Sequence, residues 1–315
     1  MIVIKDLSLY QKDRFGFYGG MSGSKYGIII DGVRWMVKFP ENTKCFVGRE
    51  KENHHIPSYT SSPISEYVGS KIYESLGIPV HETMLGYRDG KIVVACKDFD
   101  PLRSMVEFGK IKNAVPESEV SYTGSSAHGK GEVLEDVLTV IAASDILQVT
   151  PGVLERFWDM FVIDAFIRNN DRNNGNWGVF INGDGTGSLA PVFDNGNALF
   201  NKRNPSVAQQ RLGNEYEMEQ DALGTGTSFF MDESGNHLHP FAYMESMVNA
   251  DCSAAVLRFY ERLDMVRIKE ILDEIPETAY GLEVITVYQK EHYKKMFELM
   301  YEKSISPLVR KIRET

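Results

Sequence analysis

The stretch Phe157–Gly196, FWDMFVIDAFIRNNDRNNGNWGVFINGDGTGSLAPVFDNG, limits the possible folds of this chain more than any other. It joins an apolar run to a loop crowded with amides and charges, then to two short runs that end in Asp-Asn-Gly. Leu154, Trp158, Phe161, Val162, Ala165 and Phe166 recur at helical spacing, so Val153–Ile167 is expected as a core helix. Thr150 suits its cap and Pro151 its first turn. Polarity then switches abruptly, from Arg168 to Asn176. Polar side chains held between two buried elements need partners, because burying them unsatisfied is costly. Trp177–Ile181 alternates as a strand, Asn182–Gly187 reads as a Gly-rich turn, and Ser188–Phe193 as a second strand.

Core helix, polar loop, hairpin and Asp-x-Gly follow one another as in a kinase catalytic centre. There an Asp orients the substrate hydroxyl, while an Asn five residues on and the Asp of Asp-x-Gly hold Mg²⁺. Asp171 and Asn176 have that spacing, and Asp194-Asn195-Gly196 comes one hairpin later. Mg²⁺ prefers hard oxygen ligands, which these side chains offer. Asp-x-x-x-x-Asn alone is a weak signal; its place between a buried helix and a hairpin is far more restrictive. The bland alternative is two successive Asx turns.

Upstream, residues 15–40 carry Gly16, Gly19, Gly20 and Gly23 interleaved with Ser22, Ser24 and Lys25. Glycine lets backbone amides approach phosphates closely, so Gly19, Gly20, Ser22, Gly23 and Ser24 are candidate nucleotide contacts. Strands are expected at Tyr26–Ile30 and Val33–Phe39 around Asp31-Gly32, a strong hairpin signal. The second strand puts Arg34, Met36 and Lys38 on one face and Val33, Trp35 and Val37 on the other. Lys38 is placed like the kinase lysine that pairs with the nucleotide phosphates; otherwise it is a snorkelling surface lysine. Ser62-Pro63 opens a helix that stops at Gly77-Ile78-Pro79. Glu66 is the best candidate on it to hold Lys38, with Glu74 next. A second hairpin, Thr83–Tyr87 and Lys91–Lys97, turns at Asp89-Gly90. Its buried strand ends beside Cys96, where kinase-like backbone would meet adenine, and Lys97–Pro101 is a plausible lobe boundary.

Elsewhere the signals are plainer. Glu132–Leu147 reads as an amphipathic helix after a polar loop at Tyr122–Gly131. Residues 201–240 are polar and Gly-punctuated, in the place of a substrate-binding segment. From Phe241 onward the pattern is helical, at Met244–Val248, Ala254–Leu263, Val266–Ile275 and Tyr280–Tyr301. His54-His55 and His237-x-His239 lack further ligands at useful spacing for a metal. The 315 residues leave room for one large domain or two lobes. A net charge of −10 does not favour a nucleic-acid backbone as main partner, although it allows a local basic patch. Cys45, Cys96 and Cys252 form neither a disulfide framework nor a metal motif, which fits a reducing compartment. No apolar run reaches membrane-spanning length, and MIVIKDLSLYQKD is too charged for a signal peptide. The expected location is cytoplasmic, with export to a host cell left open.

NNDRNNGN followed by APVFDNG resembles the C-terminal kinase region of the HipA toxin family, and within it the compact cell translocating kinase A group. VKFP (Val37–Pro40), SEYVGSKIYESLGIPVHET (Ser65–Thr83), KIVVACKDF (Lys91–Phe99), FWDMFVIDAF (Phe157–Phe166) and NGNWG (Asn174–Gly178) extend the resemblance over most of residues 15–275, in the family's order. Asp-Arg-x-x-x-Asn is also similar to the phosphatidylinositol kinase loop. The resemblance implies an α+β, bilobal kinase-like fold, with a small β-rich lobe at 1–98 and a larger helical lobe at 99–315. It implies an ATP- and Mg²⁺-dependent Ser/Thr protein kinase, autophosphorylating, with Asp171 catalytic and Asn176 and Asp194 on the metal. Lys38 would contact the nucleotide phosphates, Glu66 would hold Lys38, and Gly19–Lys25 would cover the phosphates. A small-molecule or lipid kinase and a silent nucleotide-binding module are the alternatives. The acidic charge and the lack of a basic amphipathic helix weigh against lipid.

Two departures stand out. Asn173 occupies a position where family members commonly have His. The extra N-terminal subdomain of full HipA toxins is missing, so pairing with a DNA-binding antitoxin is not expected. In HipA-type kinases a serine of the glycine loop can be autophosphorylated and switch the enzyme off. A glycine falls near that position here, with Ser22 and Ser24 as neighbours.

Overall fold

The computed structural model describes residues 1–13, 24–42, 59–99, 104–116, 131–224 and 226–315. The first half is organised by strands β1 (Lys5–Asp6), β2 (Lys25–Ile30) and β3 (Val33–Lys38), helix α1 (Ser62–Ser75), and strands β4 (Thr83–Arg88) and β5 (Lys91–Lys97). The strands form one sheet in the order β1-β4-β5-β3-β2, antiparallel except for β1 on β4. Both expected Asp-Gly hairpins are present. Asp31 and Gly32 have φ of 51° and 79°, and Asp89 and Gly90 have 50° and 73°, the left-handed pair that a tight twisted hairpin requires.

Alternation along β3 divides its side chains as expected. Trp35 and Val37 are buried with Leu7, Ile28, Val93 and Ala95 on one face of the sheet. Lys38 points to the other face, where Val94 and Cys96 meet α1 and the main core. Helix α1 opens at Ser62-Pro63 and stops before Gly77, whose φ of 72° ends the helix without strain.

The next elements are β6 (Ser104–Glu107), α2 (Phe108–Lys112), β7 (Glu132–Val133), α3 (Leu134–Ala143), α4 (Asp145–Gln148), α5 (Val153–Ile167), β8 (Gly178–Ile181) and β9 (Gly187–Leu189). Strands β6, β8 and β9 make an antiparallel sheet. Three expectations need correction. The helix expected over 132–147 begins at Leu134 and breaks at Ser144, whose ψ of 118° is extended; Glu132 is instead in a strand, its carboxylate bound to buried Lys112. Helix α5 starts at Val153 after Gly152, and Thr150 does not cap it: its hydroxyl donates back to the Ile146 carbonyl. The strand expected to Phe193 ends at Leu189. Pro191 has no N–H to give a ladder, and Val192 bridges to Val80 beside β4 instead.

The remaining elements are α6 (Pro205–Leu212), α7 (Glu215–Glu219), β10 (Phe230–Met231), α8 (Pro240–Ser246), α9 (Ala250–Arg262), α10 (Met265–Asp273), β11 (Thr278–Ala279), β12 (Leu282–Glu283), α11 (Val287–Met300) and α12 (Ser306–Glu314). The polar segment 201–240 thus contains α6, α7 and a π-helical turn at Gln220–Gly224; Asn204 caps the first, with Pro205 in its first turn. The expected helical region from Tyr280 begins with the β11–β12 hairpin, and its helix starts only at the Thr286–Gln289 capping box. Helix α5 is buried on nearly every side. Its Phe166 stacks on Phe297 of α11 at 4.6 Å and meets Phe259 of α9 edge-on at 5.1 Å. The fold is α+β, an N-terminal sheet followed by a mostly helical remainder. Among the described residues no helix is long and apolar enough to cross a membrane.

Candidate active site

Three of the expected residues converge. Lys38 Nζ, at the end of β3, donates to Glu66 Oε2 of α1 at 2.8 Å and to Asp194 Oδ1 at 2.9 Å. Glu74, the other candidate, lies near the end of α1 and pairs with Lys71 at the surface. The Glu66 carboxylate is 1% exposed and also contacts His81 Nε2 at 2.9 Å and accepts from the Asn195 backbone N–H at 2.9 Å. Burial alone would raise the Glu66 carboxyl, but Lys38 and then His81 hold it well below the usual carboxylate range. Burial would likewise lower Lys38, yet Asp194 and Glu66 keep its ammonium well above the ordinary value. The result is a fixed cation on the strand face, tied to the loop that carries Asp194. Lys25 faces Lys38 across the β2–β3 ladder; burial pushes its amine down, against the nearby Asp194 carboxylate.

Arg172 builds the floor of the site. Its guanidinium grips Asp164 through Nε at 2.7 Å and Nη2 at 2.9 Å. The same group donates to the backbone carbonyls of Asn176 and Phe193 and to Asn195 Oδ1. One buried side chain therefore ties α5, the Asn-rich loop and the Asp-Asn-Gly turn together. Burial opposes its charge, but Asp164 outweighs that and raises its pKa. Tyr73 of α1 donates to the same Asp164 at 2.9 Å. Asp164, the lone charge within the apolar run Met160–Ile167, was the signal in the sequence for this hub, since a buried charge requires a partner.

Asp171 is presented by that frame. Asn173 Nδ2 donates to its Oδ1 at 3.1 Å and Asn197 Nδ2 to its Oδ2 at 2.8 Å. Asn173, where a histidine was the family habit, thus serves as a neutral donor. Asn176 Nδ2 donates to the Asp171 carbonyl at 2.6 Å, which orients its amide oxygen away from that contact. Asp194 has φ of 61°, a left-handed conformation that a short polar residue tolerates and that often marks functional sites. Asn174 joins the Asn-rich loop to the buried Lys112–Glu132 pair through Glu132 Oε2.

Other candidates are placed differently. Gly19, Gly20, Ser22 and Gly23 lie outside the described residues, as do His54 and His55. Ser24 is exposed, and its carbonyl accepts from Phe39 N–H. Cys96 lies in the middle of the sheet, opposite Met36 on one side and Thr83 on the other, so its backbone is committed to the sheet rather than to a ligand. Its buried thiol approaches Glu66 and His81 instead, and burial pushes it up. His237 contacts the Ser228 carbonyl and His239 caps α8, so both serve the fold.

A lysine–glutamate pair that joins a sheet to its helix and reaches the Asp of an Asp-Asn-Gly turn is the arrangement found in kinase-type phosphotransferases. Residues 25–279 match the HipA-like C-terminal domain. The chain is 36% identical over 263 residues to the serine/threonine-protein kinase CtkA of Helicobacter pylori, covering 82% of this chain and 75% of that protein. The crystal structure of an H. pylori proinflammatory kinase CtkA superposes with a TM-score of 0.83 at 30% identity, covering 99% of both chains. The chain belongs to the HipA-like family and is a serine/threonine protein kinase. As a kinase it uses ATP.

Proposed function

We propose that this chain transfers the γ-phosphoryl group of Mg²⁺-bound ATP to serine or threonine hydroxyls of proteins, its own included. The observation that carries this is the Lys38 ammonium held between Glu66 and Asp194, within a frame that also fixes Asp171 and Asn176. The donor set fits magnesium: the Asp194 carboxylate, 43% exposed, and the Asn176 amide oxygen are hard oxygens on backbones bridged by Arg172. When bound, the metal would neutralise charge on the phosphates. Lys38 would hold the phosphates, kept cationic and oriented by Glu66. Asp171, steadied by Asn173 and Asn197, would accept a hydrogen bond from the acceptor hydroxyl and align it for in-line attack. Nearly all the catalysis is then positioning and electrostatics. A division into a β-rich lobe at 1–98 and a helical lobe at 99–315 is supported by the five-stranded sheet ending at Lys97.

The test is incubation of wild type, Asp171→Ala and Asp194→Ala with Mg²⁺-ATP, read by intact mass and phosphopeptide mapping. Phosphate on the wild type, with transfer reduced on the order of 10²-fold or more in both variants, is expected. Undiminished transfer in both would refute the assignment.

A further inference from the structure

At the end of α5 away from the Asn-rich loop lies a cavity of about 450 Å³. Helices α3 and α4, the first turns of α5 and the link from α8 to α9 enclose it. The 15 residues of α5 hold its two ends about 20 Å apart, at ~1.5 Å per residue. No residue of the Lys38, Arg172 or Asp171 contacts described above lines this cavity.

The cavity is apolar inside. Ile141, Leu147, Val153 and Trp158 are buried in it, and Leu138 and Leu154 complete the walls. Apolar surface continues beyond the rim. Val149 and Val248, each next to a lining residue, are 52% and 72% exposed, and Leu154 itself is 36% exposed. Apolar surface that runs out of a cavity onto the exterior marks a place where another molecule packs.

The polar groups describe that molecule. Trp158 is wholly buried, and its indole N–H finds no acceptor among the described residues. An indole can only donate, and a buried one normally finds a partner. No side chain caps α5, whose first residues line the cavity, so first-turn N–H groups there also call for an acceptor. The charges at the cavity have the opposite demand. Glu155 and Asp251 are exposed lining residues, and no lysine or arginine lines it; Arg156, next to Glu155 in the chain, stays outside. The occupant must therefore combine an apolar group, neutral acceptors and positive charge. A peptide segment with an apolar side chain between basic ones has all three. A fatty acid or other anionic amphiphile would satisfy the N–H groups but meet two carboxylates of its own sign.

Building on the proposed protein-kinase activity, we propose that this cavity is a docking site for protein substrates, taking an apolar side chain flanked by Lys or Arg at a distance from the phosphorylated hydroxyl. The apolar side chain fills the cavity, backbone carbonyls accept from Trp158 and the first turn of α5, and the flanking cations meet Glu155 and Asp251. Docking holds the acceptor near Asp171 and raises its effective concentration there. It therefore lowers KM for the substrate and leaves kcat unchanged. The net charge of −10 draws basic segments toward the molecule.

The test uses Ser-containing acceptor peptides joined by a Gly/Ser linker to a docking cassette. A linker of about 14 residues reaches about 20 Å on average. The cassette is Leu, Phe or Ala with two Arg on each side, or Leu with two Glu on each side. Each peptide is assayed with wild type, with Ala142→Trp, which plugs the cavity, and with Glu155→Lys combined with Asp251→Lys. All three positions are exposed, so phosphorylation of the peptide without a cassette is expected to be unchanged. In wild type the Arg-flanked Leu or Phe cassette is expected to lower KM about tenfold or more relative to the Ala cassette, at constant kcat. The effect weakens with salt. Ala142→Trp abolishes it, and the double lysine variant shifts preference to the Glu-flanked cassette. Preference for Leu alone or Phe alone upholds the site and gives the size of the side chain it takes. Equal KM for all cassettes, a wild-type preference for the Glu-flanked cassette, or a preference that both variants retain overturns the inference while leaving the kinase assignment intact. If wild type phosphorylates no peptide, the kinase proposal is what fails. Fluorescence anisotropy with the labelled Arg-flanked Leu and Phe cassettes alone then decides the cavity: binding that Ala142→Trp abolishes upholds it, and no binding, or equal binding by the variant, overturns it.

Discussion

Replacing Glu66 with Gln keeps the shape of the side chain and removes its charge. The wild-type carboxylate meets Lys38 Nζ at 2.8 Å, His81 Nε2 at 2.9 Å and the Asn195 N–H at 2.9 Å, almost wholly out of water. A glutamine amide has one acceptor atom where the carboxylate had two, so a donor is turned toward Lys38 or toward the shared His81–Asn195 position. Neutralising one partner of a buried pair costs about 3–5 kcal/mol. Lys38 keeps Asp194 at 2.9 Å and its side chain is 18% exposed, which favours the lower end, about 3 kcal/mol. That is a large part of a total stability of about 5–15 kcal/mol. It corresponds to a drop in Tm of about 4–5 °C in a chain of this size. The sign with pH follows from the depressed Glu66 carboxyl. Its contribution is complete above the ordinary value of 4.5 and is lost as pH falls below it. The gap between wild type and Glu66→Gln should therefore be widest near neutral pH and narrow in acid. Melting curves across that range, with KM for ATP measured alongside, make the assay; KM is expected to rise about tenfold, as for the loss of one charge-assisted contact. Equal melting temperatures at neutral pH, with KM within about twofold, would show that Glu66 neither holds Lys38 nor joins α1 to the Asp194 turn.

Three further outcomes follow from the same contacts. Asn197→Ala removes the donor to Asp171 Oδ2 and should lower kcat about tenfold while leaving KM for ATP unchanged, measured by steady-state kinetics. Lys112→Met strands the fully buried Glu132 carboxylate, which also holds Asn174, and should cost about 3–5 kcal/mol in urea unfolding. Lys112→Met combined with Glu132→Gln should recover part of that loss, and no recovery would argue against charge as the cause. Gly178→Ala would drive a Cβ into the Val106 carbonyl across the β6–β8 ladder, so a loss of about 3 kcal/mol or more in thermal stability is expected.

Much of this site was legible in the chain. Asp-Gly turns flanked by alternating residues specify the β2–β3 and β4–β5 hairpins, and Ser-Pro opens α1, because turn and cap chemistry act over a few residues. Lys38, Asp171, Asn176 and Asp194 could be ranked by their places on such elements. The breaks were not legible. Glu132 looks like the start of an amphipathic helix until Lys112, twenty residues away, draws it into a buried pair. Helices α6 and α7 were hidden in a polar segment whose apolar positions are few, and the β9 strand was read through Pro191.

The sequence by itself determined the two Asp-Gly hairpins, α1 and α5 and named the candidate site side chains, since hydrophobic period, turn residues and helix caps are local properties. Only the tertiary structure decided between Glu66 and Glu74, because both are carboxylates on α1 and packing brings just one to Lys38. It also made Arg172 a hub, matched His81 to Glu66, and joined Lys38 to Asp194 across 156 residues of chain. Those choices depend on burial. A charge removed from water must find its counter-charge wherever the fold places it, and no local pattern specifies that partner.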